Sequence, residues 1–400
     1  MRVAVVSEFY PRVGGPSPDP VLGVWAHLQA VAARDAGAEV RVLALHRPIP
    51  PRDAPRKLRA LAARARQPRR ATLDGIEVRY VPFLAPPRWR TYGSWGAWAA
   101  PPLARALARL RREWPFHLVH AHNGIPAADA VRRARALTGG ARVPLVVSVH
   151  GGDVRWTAPH FGERPVRRAL EAADLVLANS RGIEALARAA GARAARVVHL
   201  GTDVPAQRTR CERPDTIVTV AHLIARKRHA DVIRALPDGA RYLIVGDGPE
   251  RGRIEELAER LGRPVELTGQ LPHDEALALA RGCAAFAMPS TAEAFGVAYV
   301  EAMAGGLPAV GRRGEPGPEE IAAHGPGMLR AGDDDLEAAL RRALRERDEL
   351  GAAARATVAE HFTWEACGRA TVDAYASVAP PGPLHGHARP GGTTAGGRGD

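Results

Sequence analysis

Cysteine is scarce in this 400-residue chain: Cys211, Cys283 and Cys367 are the three present, far apart and never as a CxxC pair. That spacing gives neither a disulfide framework nor a cysteine zinc site, and it fits a reducing cytoplasm. Lysine is rare too, so arginine carries the basic character of the chain. No apolar run approaches the roughly 20 residues that a membrane-spanning helix needs. The opening MRVAVVSEFYP is too short in its apolar stretch for a signal peptide and reads as a first strand. Aromatics are only 5% of the residues. The aromatic, zinc-module and helix-turn-helix signatures of nucleic-acid readers are missing, so nucleic acid is not expected as a partner. No Asp-x-Asp metal motif stands at a strand end; Asp333 to Asp335 precedes a late helix and reads as its cap. Neither a metal nor a cofactor is expected.

Apolar residues make up 46% of the chain and the formal net charge is +13. The length points to two domains with substantial cores. The charge favours anionic partners such as anionic lipid or phosphorylated small molecules, although an Arg- and Ala-rich coding bias gives the same balance. Along the chain, short apolar runs alternate with Ala- and Arg-rich helical stretches. Strands are expected at 3–7, 39–45, 118–120, 145–149, 175–178 and 197–200, with a helix at 22–36. Residues 204–215 are polar and read as a linker. The alternation then restarts, with strands at 217–220, 242–245, 265–268, 285–288 and 309–311 and helices at 251–261, 274–280 and 297–304. The stretch 334–376 is helical throughout, and the Pro/Gly-rich tail 379–400 reads as disordered. Continuously apolar strands alternating with helices indicate parallel sheets covered on both faces. The expected class is therefore α/β, with two doubly wound, Rossmann-like domains at 1–203 and 216–361.

Two surface-type segments remain open at this level. Residues 52–70 hold seven Arg and one Lys against one Asp. They form either a basic helix on an anionic membrane or a surface loop. Trp89, Tyr92, Trp95 and Trp98 recur at every third position, which suits core packing, a sugar-binding face or a membrane interface.

Ligands of open α/β sheets bind beyond the carboxyl ends of the strands, so the residues that follow each strand are the candidates. Gly14-Gly15 lets backbone amides approach an anion. His150, in SVHGGDV, ends a buried strand and can donate to a phosphate or a sugar hydroxyl. His120 and His122 end another strand and read as cleft-lining or structural, since no third metal ligand stands at useful spacing. Lys227 lies in a basic loop with Arg226 and Arg228, after His222, where a cation could meet a diphosphate. In PSTAEAFGVAYVE the helix starting near Gly296 offers amides and a dipole to a phosphate. Glu293 and Glu301 flank that point, Glu293 placed for a sugar and Glu301 for a ribose. The loop at 311–320 reads as a rim of the same cleft.

These stretches carry a likeness. YPRVGGP, VHAH, VHGGDV, ANS (Ala178–Ser180), HLGTDV, LIARKR, LIVGDGPERGRIEELAERLG, LTGQL and MPSTAEAFGVAYVEAMAGGLP appear in the order found in family 4 of the retaining glycosyltransferases, over roughly residues 1–375. The chain resembles that family, whose fold is the two-domain GT-B architecture. The resemblance implies an N-terminal acceptor domain, a C-terminal donor domain, and a last helix at 362–378 crossing back to the first. It implies a nucleotide sugar, UDP- or GDP-linked, as donor, and a glycan, lipid-linked sugar or small molecule as acceptor, with no metal required. His150, Lys227 and Glu293 would carry the reaction. Gly14, Gly15, His222, Arg226, Gly246, Thr268, Leu271, Phe295, Gly296, Val297 and Glu301 would bind the donor. One departure stands out: His222 occupies the place where the family usually has an Arg, so either His222 or Arg226 must supply that cation. The start of the chain resembles members that make bacterial cell-surface polysaccharides. A cytoplasmic location, with contact at the inner face of the plasma membrane through 52–70, is the matching expectation. The rival readings are a weakened homologue that only binds nucleotide sugar and a nucleotide-sugar epimerase on the same fold.

Overall fold

Runs such as RVAVVS and LVVSV are buried at nearly every position, so the strands they form need cover on both faces. The computed structural model describes residues 1–13, 23–48, 67–138 and 143–379. The first sheet contains β1 (Arg2–Ser7), β2 (Glu39–His46), β3 (Arg70–Leu73), β4 (Ile76–Pro82), β5 (Leu118–His122), β6 (Leu145–Val149), β7 (Leu175–Ala178) and β8 (Ala195–Val197). Their spatial order is β3-β4-β2-β1-β5-β6-β7-β8. The second contains β9 (Arg213–Val220), β10 (Arg241–Val245), β11 (Val265–Gly269), β12 (Cys283–Met288), β13 (Ala309–Arg312) and β14 (Met328–Ala331) in the order β11-β10-β9-β12-β13-β14. Every strand pair is parallel except the β3–β4 hairpin. Two doubly wound sheets result, each between two hydrophobic layers.

This order creates two points where the winding reverses: between β1 and β5 in the first sheet and between β9 and β12 in the second. Crevices open at the carboxyl ends of such strands, and here the two crevices face each other. The helix Trp364–Val378 returns to the first lobe and packs along Val24–Asp35. Gln29 Nε2 donates to Thr371 Oγ1 at 3.1 Å, and Tyr375 buries its ring in the first lobe's core.

Several expectations need adjustment. The strand expected at 197–200 is Ala195–Val197, and the residues that follow join the lobes, Thr202 N donating to the Phe362 carbonyl at 2.9 Å. The linker is shorter than 204–215, because β9 begins at Arg213 and pairs with Cys283. The hairpin strands at 70–82 and the strand Met328–Ala331 were not expected. Asp335 precedes the helix Leu336–Arg345 without a side-chain cap; its Oδ1 accepts from Gly332 N instead. The aromatic stripe divides: Tyr92 and Trp95 are core, whereas Trp89 and Trp98 are 55% and 50% exposed. Gly14, Gly15, most of the basic segment (52–66) and residues 380–400 lie outside the described residues. Among the described residues no helix is long and apolar enough to cross a membrane.

Docking of the last helix depends on a close backbone approach. A Cβ at Gly368 would sit 2.1 Å from the Ala32 carbonyl oxygen. Gly368→Leu should therefore cost about 1–3 kcal/mol by overpacking, while Arg369→Ala on the exposed face should cost little. Thermal denaturation checks this; equal midpoints for the two variants would contradict the packing.

Candidate active site

The second sheet's crevice is organised around a buried ion pair. β9 runs into the short turn Ala225–Lys227, and β12 into the loop that carries Glu293. The two loops are stitched together by Thr291 N donating to the Arg226 carbonyl at 2.8 Å. Lys227 Nζ lies 2.8 Å from Glu293 Oε2, which also takes the Ser290 hydroxyl at 2.9 Å and Arg226 at 3.4 Å. All three contacts fall on one carboxylate oxygen, leaving Oε1 without a partner among the described residues. Lys227 is one of only two lysines in the chain. Burial alone would raise the Glu293 carboxyl, but the Lys227 charge and hydrogen bond, with Arg226 and Ser290, outweigh it and hold it below its ordinary range. Burial draws the Lys227 ammonium down, with Glu293 opposing. Three donors on Oε2 favour the ionised carboxylate.

Backbone strain gathers at the same place. Arg228 and Ala292, each adjacent to one partner of the pair, both have φ of +57°. Left-handed backbone in residues other than glycine costs about 1–3 kcal/mol apiece and clusters at functional sites. Gly296, at φ +83°, opens the helix Val297–Ala304; a Cβ there would collide with the Tyr299 ring at 2.5 Å.

The first lobe faces this pair across a cavity of about 370 Å³. Its aromatic walls are Phe9, Trp25, Tyr92 and Trp156, and its second-lobe wall runs from Glu293 to Val297. Polar groups enter from the strand ends: Asn123 after β5, His150 and Asp153 after β6, and Asn179 after β7. Four residues that line the cavity each hold a buried atom with no hydrogen-bond partner among the described residues: Trp25 Nε1, His150 Nδ1, Asp153 Oδ2 and Asn179 Oδ1. Buried polar atoms are nearly always paired, so four such residues around one cavity make it the candidate place for a polar ligand. The other oxygen of Asp153 accepts from Gly124 N at 2.7 Å. Burial pushes the Asp153 carboxyl up to about 6, against backbone donors from Gly124, His150 and Ile125.

His150 ends a stack of imidazoles. His122 Nδ1 is 3.1 Å from His150 Nε2, the two rings are parallel, and Trp25 packs edge-on against His150. Burial lowers His150 to about 4, so the ring is neutral at neutral pH. His120 is held by Tyr375 and Ser148, each at 2.8 Å, which makes it structural. Tyr92 donates to Glu8 at 2.9 Å, and Arg88 lies 4.3 Å above the Tyr92 ring.

The lobes touch closely around the cavity. Ser180 Oγ donates to the Ala294 carbonyl at 2.8 Å, and a Cβ at Gly151 would lie 2.4 Å from that of Ala294. Glu315, from the loop at 311–320, accepts from Glu293 N at 2.9 Å and pairs with Arg155 of the first lobe at 3.1 Å.

Of the residues singled out in the sequence, His150, Glu293, Phe295, Gly296 and Val297 line the cavity, and Lys227 and Arg226 touch Glu293. Glu301 stands farther along its helix, 3.4 Å from His273. Burial raises its carboxyl, with His273 and Arg281 opposing. Gly246 and Gly269 pair through their backbones, with Thr268 and Leu271 beside them. These groups belong to the second lobe but not to the cavity wall. His222 is exposed, and its ring makes no hydrogen bond or ion pair among the described residues; Arg226 is the cation beside Lys227. Trp25 and Arg88 were not singled out, and Asp153 and Asn179 lie in the stretches VHGGDV and ANS without an assigned role. Asp153 and Asn179 share the one available signal, a polar residue just past an apolar strand.

Residues 22–202 match the glycosyl transferase 4-like domain and residues 202–357 match glycosyl transferases group 1. A GDP-mannose-dependent alpha-(1-6)-phosphatidylinositol monomannoside mannosyltransferase of Mycobacterium tuberculosis is 29% identical over 294 residues, 65% of this chain and 75% of its own. Among solved structures, sucrose-phosphate synthase from Thermosynechococcus elongatus superposes with a TM-score of 0.70 at 20% identity, covering 94% of this chain and 98% of its own. Anabaena HepE, solved in complex with UDP, gives 0.65 at 20% identity, covering 94% of this chain and all of its own. The fold is GT-B. With the two family matches running end to end over 22–357, the chain belongs to the group 1 glycosyltransferases, with a glycosyl transferase 4-like first domain.

Proposed function

We propose that this protein transfers a sugar from a nucleoside-diphosphate sugar to an acceptor hydroxyl, with retention of configuration and without a catalytic metal. The observation that carries this reading is the Lys227–Glu293 pair at the second sheet's switch point, across a cavity lined by four first-lobe residues that each hold an unpaired buried polar atom. Lys227 and Arg226 supply positive charge for a departing diphosphate, and the amides that open the helix at Gly296–Val297 add a dipole aimed the same way. Glu293 Oε1 accepts from donor-sugar hydroxyls while Oε2 keeps its cations. His150, neutral and positioned by His122, offers its Nδ1 edge to the donor sugar near the leaving phosphate. Glu301 accepts from the ribose, and the backbone near Thr268, Gly269 and Leu271 reaches the base.

In the reaction the bond from the anomeric carbon to the diphosphate oxygen breaks. The acceptor oxygen bonds to the same face, and its proton passes to the departing phosphate oxygen. This route needs no protein base. The aromatic walls and the paired hydroxyl acceptors Asp153 and Asn179 suit a carbohydrate acceptor. The relative's use of GDP-mannose and of a phosphatidylinositol mannoside favours a GDP- or UDP-linked hexose and a lipid-linked or cell-surface glycan acceptor.

Glu293→Gln keeps the shape and removes the charge. It should lower kcat by about 100-fold or more with an unchanged circular dichroism spectrum. Lys227→Ala should raise the donor constant and lower the rate as well. Turnover at the wild-type rate in Glu293→Gln would refute the role given to it.

Asp153 gives a pH signature. Its folded value of about 6 lies above its ordinary 3.8, so the folded state favours the protonated carboxyl. The stability it contributes is complete below pH 3.8 and is lost as pH rises through 6; the gap corresponds to about 3 kcal/mol. Asp153→Asn should therefore raise the unfolding midpoint at pH 8, hardly change it at pH 4, and weaken acceptor use. A midpoint difference independent of pH would contradict a buried charge at this position.

A further inference from the structure

Outside the cavity, one group of side chains has the makings of a metal site. The ligand atoms of His199, Glu320 and His324 all lie within 4.8 Å of one another. The fold brings them together from both lobes. His199 follows β8, and the residue before it is tied to the first sheet, Val198 N donating to the Ala178 carbonyl at 2.8 Å. Glu320 sits on the second lobe's helix Pro316–Ala322, and His324 follows one turn later. Glu320 Oε1 is 2.8 Å from His199 Nε2 and 3.9 Å from His324 Nε2, while its other oxygen accepts from Arg181 N at 2.8 Å.

A hydrogen-bonded pair alone accounts for only part of this. His199–Glu320 is satisfied by itself, yet His324 Nε2 is buried, lies 3.9 Å from the same carboxylate, and has no hydrogen-bond partner among the described residues. Orphaned buried polar atoms are rare and costly. A cation between the three would take His324 Nε2, His199 Nε2 and Glu320 Oε1 at once. Zinc–ligand distances near 2.0–2.2 Å set ligand atoms about 3.3 Å apart in a tetrahedron, and the observed 2.8 and 3.9 Å straddle that value. Each imidazole side chain is 19% exposed, which leaves an entry path and room for water as the fourth ligand. Arg181 opposes a cation, its NH1 being 3.9 Å from Glu320, but its side chain is 67% exposed and can turn into solvent. The ring centre of His361 lies 4.5 Å from that of His324. Two imidazoles and one carboxylate suit zinc and its first-row neighbours rather than magnesium or calcium.

We propose that His199, Glu320 and His324 bind one divalent first-row transition-metal ion, zinc in type, and that the ion holds the two lobes together. The site is not catalytic. It communicates with the cavity through Phe295, whose ring stacks on His199 with centres 6.0 Å apart and which lines the cavity wall. Opening the lobes would carry His199 away from the other two ligands, so the bound ion favours the closed arrangement.

The test uses the full chain without a histidine tag, stripped with chelator and titrated with zinc and with cobalt(II). The expected result is one ion per chain, visible cobalt absorption of a low-coordinate site, and a higher unfolding midpoint with zinc. His324→Ala, at a half-buried position with no hydrogen bond on Nε2, should fold normally by circular dichroism and lose more than about 100-fold in affinity. It should also lose the zinc-dependent midpoint shift. His120, His122, His385 and His387 remain in that variant, so they cannot mimic the loss. Substoichiometric binding, undiminished binding in His324→Ala, or a midpoint that zinc leaves unchanged would overturn the proposal.

Discussion

A buried lysine–carboxylate pair is the constraint on which the second lobe's crevice depends. Taking two charges out of water costs several kcal/mol per ion, and the cost is recovered only when geometry and extra hydrogen bonds are good. Lys227 and Glu293 meet those terms: 2.8 Å between them, a Ser290 hydroxyl on the carboxylate, and Arg226 alongside. Holding them there requires two residues in left-handed backbone, Arg228 and Ala292. Apolar residues of the same volume are often at least as stabilising as a buried ion pair. The arrangement is therefore better explained by ligand chemistry than by stability, and the chain's scarcity of lysine makes the choice at 227 more pointed.

The first lobe complements that pair by leaving atoms unpaired. Trp25, His150, Asp153 and Asn179 line the cavity and each hold a buried polar atom without a partner among the described residues, and at Asp153 burial disfavours the ionised carboxyl. Contacts between the lobes, Ser180 with Ala294 and Arg155 with Glu315, bring the two half-sites into register. Closure excludes water and strengthens every charge interaction in the cavity. The last helix, anchored on the first lobe through Gln29–Thr371 and Tyr375–His120, limits how the lobes can move apart.

Much of the fold was legible because parallel sheets write themselves as continuous apolar runs. The strands at 145–149 and 175–178 stand where the pattern placed them, and the helix at 297–304 likewise. What escaped were elements without that signature. β3 and β4 alternate charge with apolar residues, as EVRY does, because one face is open to solvent. Met328–Ala331 is a four-residue edge strand whose identity comes from pairing with β13. In the site, Lys227, Glu293 and Gly296 sit within local motifs, so their neighbourhood could be read along the chain. Trp25 and Arg88 reach the cavity from helical segments, and Glu315 joins Arg155 across 160 positions of sequence. Such juxtapositions depend on how two lobes dock, and periodicity within either lobe carries no information about that. The same holds for His199 and His324, which lie on opposite lobes.

The most direct test of the central claim is thermal unfolding of the wild type, Lys227→Ala and Glu301→Ala in the presence of UDP, GDP, ADP or TDP. A nucleotide at 100 times its dissociation constant adds about 2.7 kcal/mol to stability. The account predicts that UDP or GDP raises the wild-type midpoint, that Lys227→Ala loses this through the diphosphate, and that Glu301→Ala loses it through the ribose. If no nucleotide stabilises the wild type, or if the same one protects Lys227→Ala equally well, the crevice around Lys227 and Glu293 is not a donor site.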